Sequence, residues 1–249
     1  SIWAFLVYVS GAGLTSLAQF VVARLLGATS YGIYSYVLAW VTLLAYAAMM
    51  GFHVALLRFV PAYGATAQWS LARGILRFAF RRVLLAGSLV PAVGIPIVLA
   101  QSSRLPPEHV TSMVLGMAAV PIIAIYLTGA SMVRTFGGVI LALVPERLLR
   151  DALLLALVGA AAWWTLWPLN ATLVMAALLI SSAATLAVTA LAALRLWPSD
   201  LRAVQPAYRA LDWWGLAFPI MVMTGFEILM TRTPVFLLGW AGNIREAGV

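Results

Sequence analysis

The chain has 249 residues, of which 64% are hydrophobic and 9% are charged, whereas soluble globular domains carry about 25% charged residues. This composition, with a mean hydropathy of +1.04, excludes a water-soluble fold. A transmembrane β-barrel is also excluded, because the apolar runs continue over a whole helix length instead of alternating with polar residues. Since helices satisfy the backbone in lipid, the sequence predicts an all-α, polytopic transmembrane helical bundle.

Seven membrane spans are predicted from the apolar runs between charged or turn-forming clusters. In chain order they cover Ile2 to Ala23, Ile33 to Leu57, Val83 to Ala100, Val110 to Val133, Ala152 to Trp167, Ala171 to Leu194 and Trp214 to Trp240. Each run suits a hydrocarbon core of about 30 Å, which takes roughly 20 helical residues. We interpret residues 1–194 as an N-terminal six-helix lobe, residues 195–213 as a cytoplasmic linker between lobes, and residues 214–249 as the first helix of a second lobe.

The distribution of arginine predicts the orientation of these spans. Arginine supplies all 15 basic residues. The connections after spans two, four and six carry eleven of them, and those after spans one, three and five carry two. By the positive-inside rule, the arginine-rich face and the N-terminus lie in the cytoplasm. The count of spans is odd and the sequence ends soon after the seventh, so we expect a C-terminal half to follow.

Span seven contains the clearest candidate for a site within the membrane. Glu227 lies about midway between Trp214 and Trp240, and Arg232 lies five residues further on. Charges at such depth are costly and by default indicate function. Five residues turn a helix through about 500°, so the two side chains lie on different stripes and each needs another partner. Glu227 either pairs with an arginine to lock the bundle or takes part in ion coupling or substrate passage.

Further candidates lie at the ends of other spans. Arg24, Arg58 and Arg134 close spans one, two and four, and His53 lies about one turn before the end of span two. Each arginine either anchors its span at the lipid headgroups or contacts an anionic substrate, because the guanidinium fork pairs bidentately with phosphate. His53 is either an interfacial histidine with satisfied hydrogen bonds or part of a proton relay.

The stretch from Trp69 to Arg82 predicts an amphipathic helix at the membrane interface. Arg73, Arg77 and Arg81 follow one another at intervals of four residues and form a basic stripe. Such a stripe attracts anionic lipid headgroups, so membrane lipids are expected partners. A surface that loads substrate is the alternative interpretation.

Several kinds of chemistry have no motif in the sequence. It contains no G-x-x-x-x-G-K-[ST] loop, no cluster of histidines and carboxylates with metal-ligand spacing, and no long loop that could hold a catalytic domain. We therefore expect neither an enzyme nor a resident metal or cofactor, and no nucleic-acid partner.

Two stretches carry more specific motifs. The first reads A-R-L-L-G-A-T-S-Y-G-I-Y-S from Ala23 to Ser35 and continues as G-F-H-V-A-L-L-R-F-V from Gly51 to Val60. The second places Phe218-Pro219 at the entry to span seven, with Leu238-Gly239 and Glu246-Ala247-Gly248 at its exit. Together they resemble the N-terminal half of polysaccharide-transport (O-antigen or oligosaccharide) flippases of the MOP superfamily.

The resemblance implies a MATE-like transporter of two six-helix lobes around a cationic cavity, in the bacterial inner (cytoplasmic) membrane. Its activity would be to translocate an undecaprenyl-pyrophosphate-linked oligosaccharide for cell-surface polysaccharide synthesis by alternating access. A coupling ion, H⁺ or Na⁺, is a further expected partner. The residues carried over to substrate binding are Arg24 and Arg58. The chain departs from the family pattern at Pro234, where members often have an acid, so the resemblance assigns no role to Glu227.

Two other functions remain open on the sequence. A cation-coupled multidrug exporter of the same superfamily is suggested by Glu227, the sole acid predicted at mid-membrane depth. A membrane-embedded glycosyltransferase or polymerase would need carboxylates beside an extracytoplasmic loop, where the sequence offers only Glu108 and Glu246.

Overall fold

A computed structural model of the protein describes residues 2–164 and 169–240, and every regular element in these residues is helical. The elements in chain order are α1 (Ile2–Met49), α2 (Phe52–Ala65), α3 (Trp69–Ala100), a 3₁₀ turn (Ser102–Arg104), α4 (Pro107–Thr135), α5 (Val139–Val144), a π-helical turn (Pro145–Leu149), α6 (Arg150–Trp164), α7 (Ala171–Arg195), α8 (Asp200–Ala203) and α9 (Ala210–Trp240). Five helices in these residues are long and apolar enough to cross a membrane. The predicted all-α, multi-pass membrane fold is confirmed.

Helix α1 consists of two arms that fold back on each other at Gly27. This residue has φ 72° and ψ 170°, a backbone conformation that essentially only glycine adopts. In a straight helix Gln19 and Tyr34 would be roughly 22 Å apart along the axis. Instead, Gln19 Nε2 donates a hydrogen bond of 3.4 Å to the Tyr34 hydroxyl. The first arm (residues 2–26) and the second arm (residues 28–49) correspond to the first two predicted spans.

The second arm ends earlier than the sequence predicted. Met50 and Gly51 both have positive φ, and the helix restarts at once as α2. The predicted boundary of span two at Leu57 is therefore wrong, because two successive left-handed residues redirect the chain before it. As a result, His53 lies in the first turn of α2 and Arg58 in its middle.

Helix α3 joins two elements that the sequence separated. The predicted interfacial helix from Trp69 to Arg82 and the predicted span from Val83 to Ala100 form one helix of 32 residues. Nothing between them breaks the hydrogen-bond ladder, since charged side chains alone do not end a helix. The helix is about 48 Å long and exceeds a hydrocarbon core of about 30 Å, so one end extends into the headgroup region.

The fifth predicted span also begins too late. Helix α5, the π-helical turn and α6 form one uninterrupted helical segment over residues 139–164. The charged run P-E-R-L-L-R-D, predicted to be a connection before Ala152, therefore lies within a helix. Pro145 has no N–H for the helical ladder, and the π-helical turn begins at this residue. The predicted end of the span at Trp167 lies outside the described residues.

Helix α4 is the centre of the bundle and packs against α1, α3 and α7. Small residues make this packing close. A Cβ added to Gly116 would lie 2.6 Å from a Val37 methyl and 2.8 Å from a Val41 methyl. Close approach at small residues gives membrane helices the van der Waals contact that the hydrophobic effect does not supply within lipid.

Helix α9 packs mainly against α1 and also against α2 and α3. Trp213 is fully buried, and its indole Nε1 donates a hydrogen bond of 3.0 Å to the Tyr63 hydroxyl. Gly51 faces α9 so closely that an added Cβ would overlap the carbonyl oxygen of Ala217. Further along α9 large apolar side chains such as Met223 and Met230 are exposed. The division into lobes at residues 195–213 stays a prediction.

The substitution Gly51→Ala is expected to destabilise the bundle. The added methyl group would strain a residue with φ 75° and would displace α9 from its contact at Ala217. We expect a loss of about 2 kcal/mol, measured as a lower midpoint of thermal unfolding in detergent. Gly13→Ala is the matched control, because nothing lies within 4 Å of a Cβ added there. Equal midpoints for both variants would contradict this packing of α9.

Candidate functional site

A polar cavity of about 290 Å³ lies inside the bundle. Both arms of α1, helices α4, α6 and α7 and the π-helical turn form its walls, and α9 contributes Arg232. Its polar lining consists of Thr15, Gln19, Tyr34, Thr42, Tyr46, Tyr126, Glu146, Arg147, Arg150, Asp151 and Arg232. A polar cavity within an otherwise apolar bundle is the strongest candidate for a site, because polar groups inside a membrane protein need specific partners.

Asp151 organises one side of this cavity. Its side chain is 6% exposed and accepts a hydrogen bond of 2.7 Å from Arg150 Nε and one of 2.5 Å from the Thr15 hydroxyl. Arg150 Nη1 also donates to the Tyr126 hydroxyl at 3.3 Å. These bonds join the first arm of α1, α4 and α6. Charge-assisted hydrogen bonds of this kind are roughly twice as strong as neutral ones.

Glu146 organises the other side, on the π-helical turn. It forms a salt bridge with Arg134 of α4, and Arg147 Nε lies 3.6 Å from its second carboxylate oxygen. The Arg147 guanidinium lies over the ring of Tyr8, 4.9 Å from the ring centroid. A Cβ added to Gly11 would lie 2.7 Å from Arg147 Cβ, so α1 approaches the turn closely.

The cavity has an excess of positive charge. Three arginines and two carboxylates line it, and both carboxylates are engaged by arginines. Arg232 forms no hydrogen bond or ion pair with any residue in the described part of the chain. The side chains can therefore accept a further anion, whereas each lining carboxylate already has a cationic partner.

Three of the predicted site residues line this cavity or contact a residue that lines it. Arg232 lines it, and Arg134 reaches it through Glu146. His53 is half-buried and packs edge-on against Tyr46, which lines the cavity, with 5.8 Å between the ring centroids. Its Nδ1 is buried without a hydrogen-bond partner among the described residues.

Arg24, Arg58 and Glu227 do not line the cavity and are exposed. None of their side-chain charges has a partner in residues 2–164 and 169–240. Arg24 and Arg58 are thus free to contact a ligand at the surface of the bundle. Glu227 has no arginine partner within these residues, and both interpretations of its role stay predictions.

Sequence reasoning missed the acidic half of the cavity. Glu146 and Asp151 were not identified as site residues, and Arg147 and Arg150 were counted only as charges of a connection. Their sequence signal is a charged run that directly follows a proline between two apolar runs. Read as an interrupted helix instead of a loop, this run indicates charges within the bundle.

Glu108 has a structural role. Its Oε1 accepts a hydrogen bond of 2.7 Å from the backbone N–H of Ala171, the first residue of α7. The carboxylate therefore helps to cap α7, since the first N–H groups of a helix lack partners within it. Glu246, the other acid considered for a glycosyltransferase, lies outside the described residues.

Comparison with solved structures identifies a related fold. A structure described as the inward-facing conformation of a multidrug resistance MATE family transporter of the MOP superfamily matches this chain with a TM-score of 0.65 and 16% sequence identity. The match covers 93% of this chain and 59% of that chain. No protein-family model and no curated protein sequence matches the chain.

The class that these observations define is a multi-pass helical membrane protein with the fold of a MATE-type transporter lobe. The chain spans about three fifths of the length of the transporter it matches. The likeness confirms the predicted MATE-like lobe fold. Membership of the polysaccharide-transport flippases stays a prediction.

The substitution Asp151→Ala is expected to lower the stability of the protein strongly. It would leave the Arg150 guanidinium in the bundle without its carboxylate, which costs about 3 kcal/mol for a buried pair. Asp151→Asn keeps an acceptor for Thr15 and should lose less. Asp200→Ala removes an exposed acid and serves as the control, with a change within about 0.5 kcal/mol. Thermal unfolding in detergent measures the stability of all three variants. Equal losses in Asp151→Ala and Asp200→Ala would refute the pairing of Asp151 with Arg150.

Proposed function

We propose that the protein is a membrane flippase that translocates an undecaprenyl-pyrophosphate-linked oligosaccharide across the bacterial cytoplasmic membrane for surface polysaccharide synthesis. The observation that carries this proposal is the surplus of arginine around a polar cavity within a transporter-type lobe. A pyrophosphate is the anionic part of such a substrate. The N-terminus would lie in the cytoplasm, as the arginine distribution predicts.

Arg232 is the residue best suited to bind the substrate anion. Its guanidinium lines the cavity without a partner among the described residues, and it belongs to α9. A guanidinium fork pairs bidentately with phosphate oxygens, which gives both charge and orientation. Arg24 and Arg58 would act at the surface of the bundle, where they are exposed and have no charged partner among the described residues.

The size of the cavity limits what it can hold. At about 290 Å³ it is just below the range for ligand pockets, which is about 300 to 1,000 Å³. It therefore suits a phosphate or pyrophosphate group rather than a whole oligosaccharide. The sugar and the isoprenoid chain would lie outside this cavity while the anionic group is bound.

To test this proposal, each of three variants of the complete protein would be expressed in cells that lack the unaltered protein. The variants are Arg232→Gln, Arg24→Ala and Arg58→Ala. Loss of a phosphate-binding guanidinium should reduce surface polysaccharide about tenfold at unchanged protein abundance, the scale of one charge-assisted bond. Arg104→Gln is the control, because Arg104 is exposed and does not line the cavity. Unchanged polysaccharide in all three variants would contradict an anionic substrate.

A cation-coupled multidrug exporter is the alternative, and the two lining carboxylates are the observation in its favour. A coupling ion, H⁺ or Na⁺, would need a carboxylate that is free to bind it. Asp151 and Glu146 are engaged by arginines, however, and Glu227 is exposed outside the cavity. The charge pattern therefore supports an anionic substrate better.

Dye efflux distinguishes the two functions. If the protein is a flippase, cells with the unaltered protein should export cationic dyes no faster than cells without it. The variant Glu227→Gln should give the same low efflux. Efflux by the unaltered protein that disappears in Glu227→Gln would favour the exporter.

A further inference from the structure

A second cavity, of about 500 Å³, lies between α3, α4 and α7 on the arginine-rich face. Of its thirteen lining residues, ten are apolar or glycine, among them Phe80, Met132 and Leu186. Ala190 and Leu194 of α7 also line it, and both are exposed on the outside of the bundle. The cavity is therefore open towards the lipid that surrounds a membrane protein, and its lining suits a hydrocarbon chain.

Positive charge borders this cavity along α3. Arg77 lines it and also lines an adjoining cleft together with Arg81 and Arg82. These three arginines are exposed, and no acidic residue in the described part of the chain lines either space. Arg73 differs, because its Nη1 donates to the backbone carbonyls of Arg202 and Val204. Arg77 and its two neighbours thus lack counter-charges within the lining of both spaces.

The length of α3 sets the depth of these arginines in the membrane. The helix exceeds a hydrocarbon core of about 30 Å by roughly twelve residues at 1.5 Å each. Arg77 and Arg81 lie in its first four turns, where the helix extends into the headgroup region. On α3 the lining of the cavity includes Leu76 and Phe80 on either side of Arg77, so this arginine lies directly beside apolar lining.

Thr189 provides an independent observation inside the cavity. It is 1% exposed and lines the cavity, and its hydroxyl has no hydrogen-bond partner among the described residues. Thr185, one turn earlier, bonds to the carbonyl of Ser181 at 2.8 Å in the usual manner of a helical threonine. Buried polar groups normally have partners, so this hydroxyl leaves one unsatisfied polar group within the wall of the cavity.

We propose that this cavity binds one acidic phospholipid of the surrounding bilayer, with an acyl chain between α3, α4 and α7 and the phosphate at Arg77. The assignment does not depend on the transport function. It also gives the basic stripe of α3 a specific partner in addition to its general attraction to an anionic membrane surface.

Native mass spectrometry of the complete protein, purified in detergent, tests this assignment. The protein would be given equal amounts of phosphatidylglycerol and phosphatidylcholine with identical acyl chains. We expect one phosphatidylglycerol molecule to be retained in preference to phosphatidylcholine. Arg77→Gln should reduce that preference about fivefold, the effect of one arginine near an anionic lipid. Arg195→Gln should leave the preference unchanged, because Arg195 is exposed on the same face but outside this cavity.

A second pair of variants tests the acyl chain. Ala190→Phe should fill the cavity and reduce retention of both lipids severalfold. Ala183→Phe is its control, since Ala183 is exposed two turns earlier on the same helix and does not line the cavity. Equal retention of both lipids by the unaltered protein, or full retention by Ala190→Phe, would overturn the assignment. Preferential retention of an isoprenyl pyrophosphate over phosphatidylglycerol would also overturn it, because the cavity would then be a substrate site.

Discussion

The two carboxylates that line the polar cavity are paired with arginines, and this pairing ties the helices of the bundle together. Asp151 bonds to Arg150 beside it and to Thr15 on the first arm of α1, while Glu146 bridges to Arg134 of α4. A buried charge without its partner destabilises a protein by several kcal/mol. The positions of α1, α4 and the segment 139–164 around the polar cavity therefore depend on one another.

The same pairing determines what the cavity can accept. Because its carboxylates are engaged by arginines and Arg232 has no partner among the described residues, the proposed substrate is an anion and not a cation. The structural likeness concerns the fold alone, and function depends on the site and not on the fold. Charge balance within the lobe is therefore better evidence for the substrate class than the structural likeness.

The outer surface follows a different constraint, the mismatch between helix length and bilayer thickness. Helix α3 is too long for the hydrocarbon core, so its arginines reach the headgroups while the following turns remain in the apolar layer. The turns of α3 that carry Arg73 and Arg77 also contribute Leu76 and Phe80 to the apolar cavity. The lipid would be held by the same physical forces that keep the helix in the membrane.

The sequence by itself determined the class of this protein, because composition and apolar runs depend only on local chemistry. It predicted a helical bundle and proposed Arg134 and Arg232 as candidate site residues. It assigned the run from Pro145 to Asp151 to a connection, since charges usually mark the ends of spans. Only the tertiary structure decided which charges meet. Glu146 meets Arg134 and Asp151 meets Thr15 because the reversal at Gly27 and the packing around α4 bring together residues far apart in the chain. Helical periodicity assigns each residue a face but does not specify the neighbouring helix that packs against it.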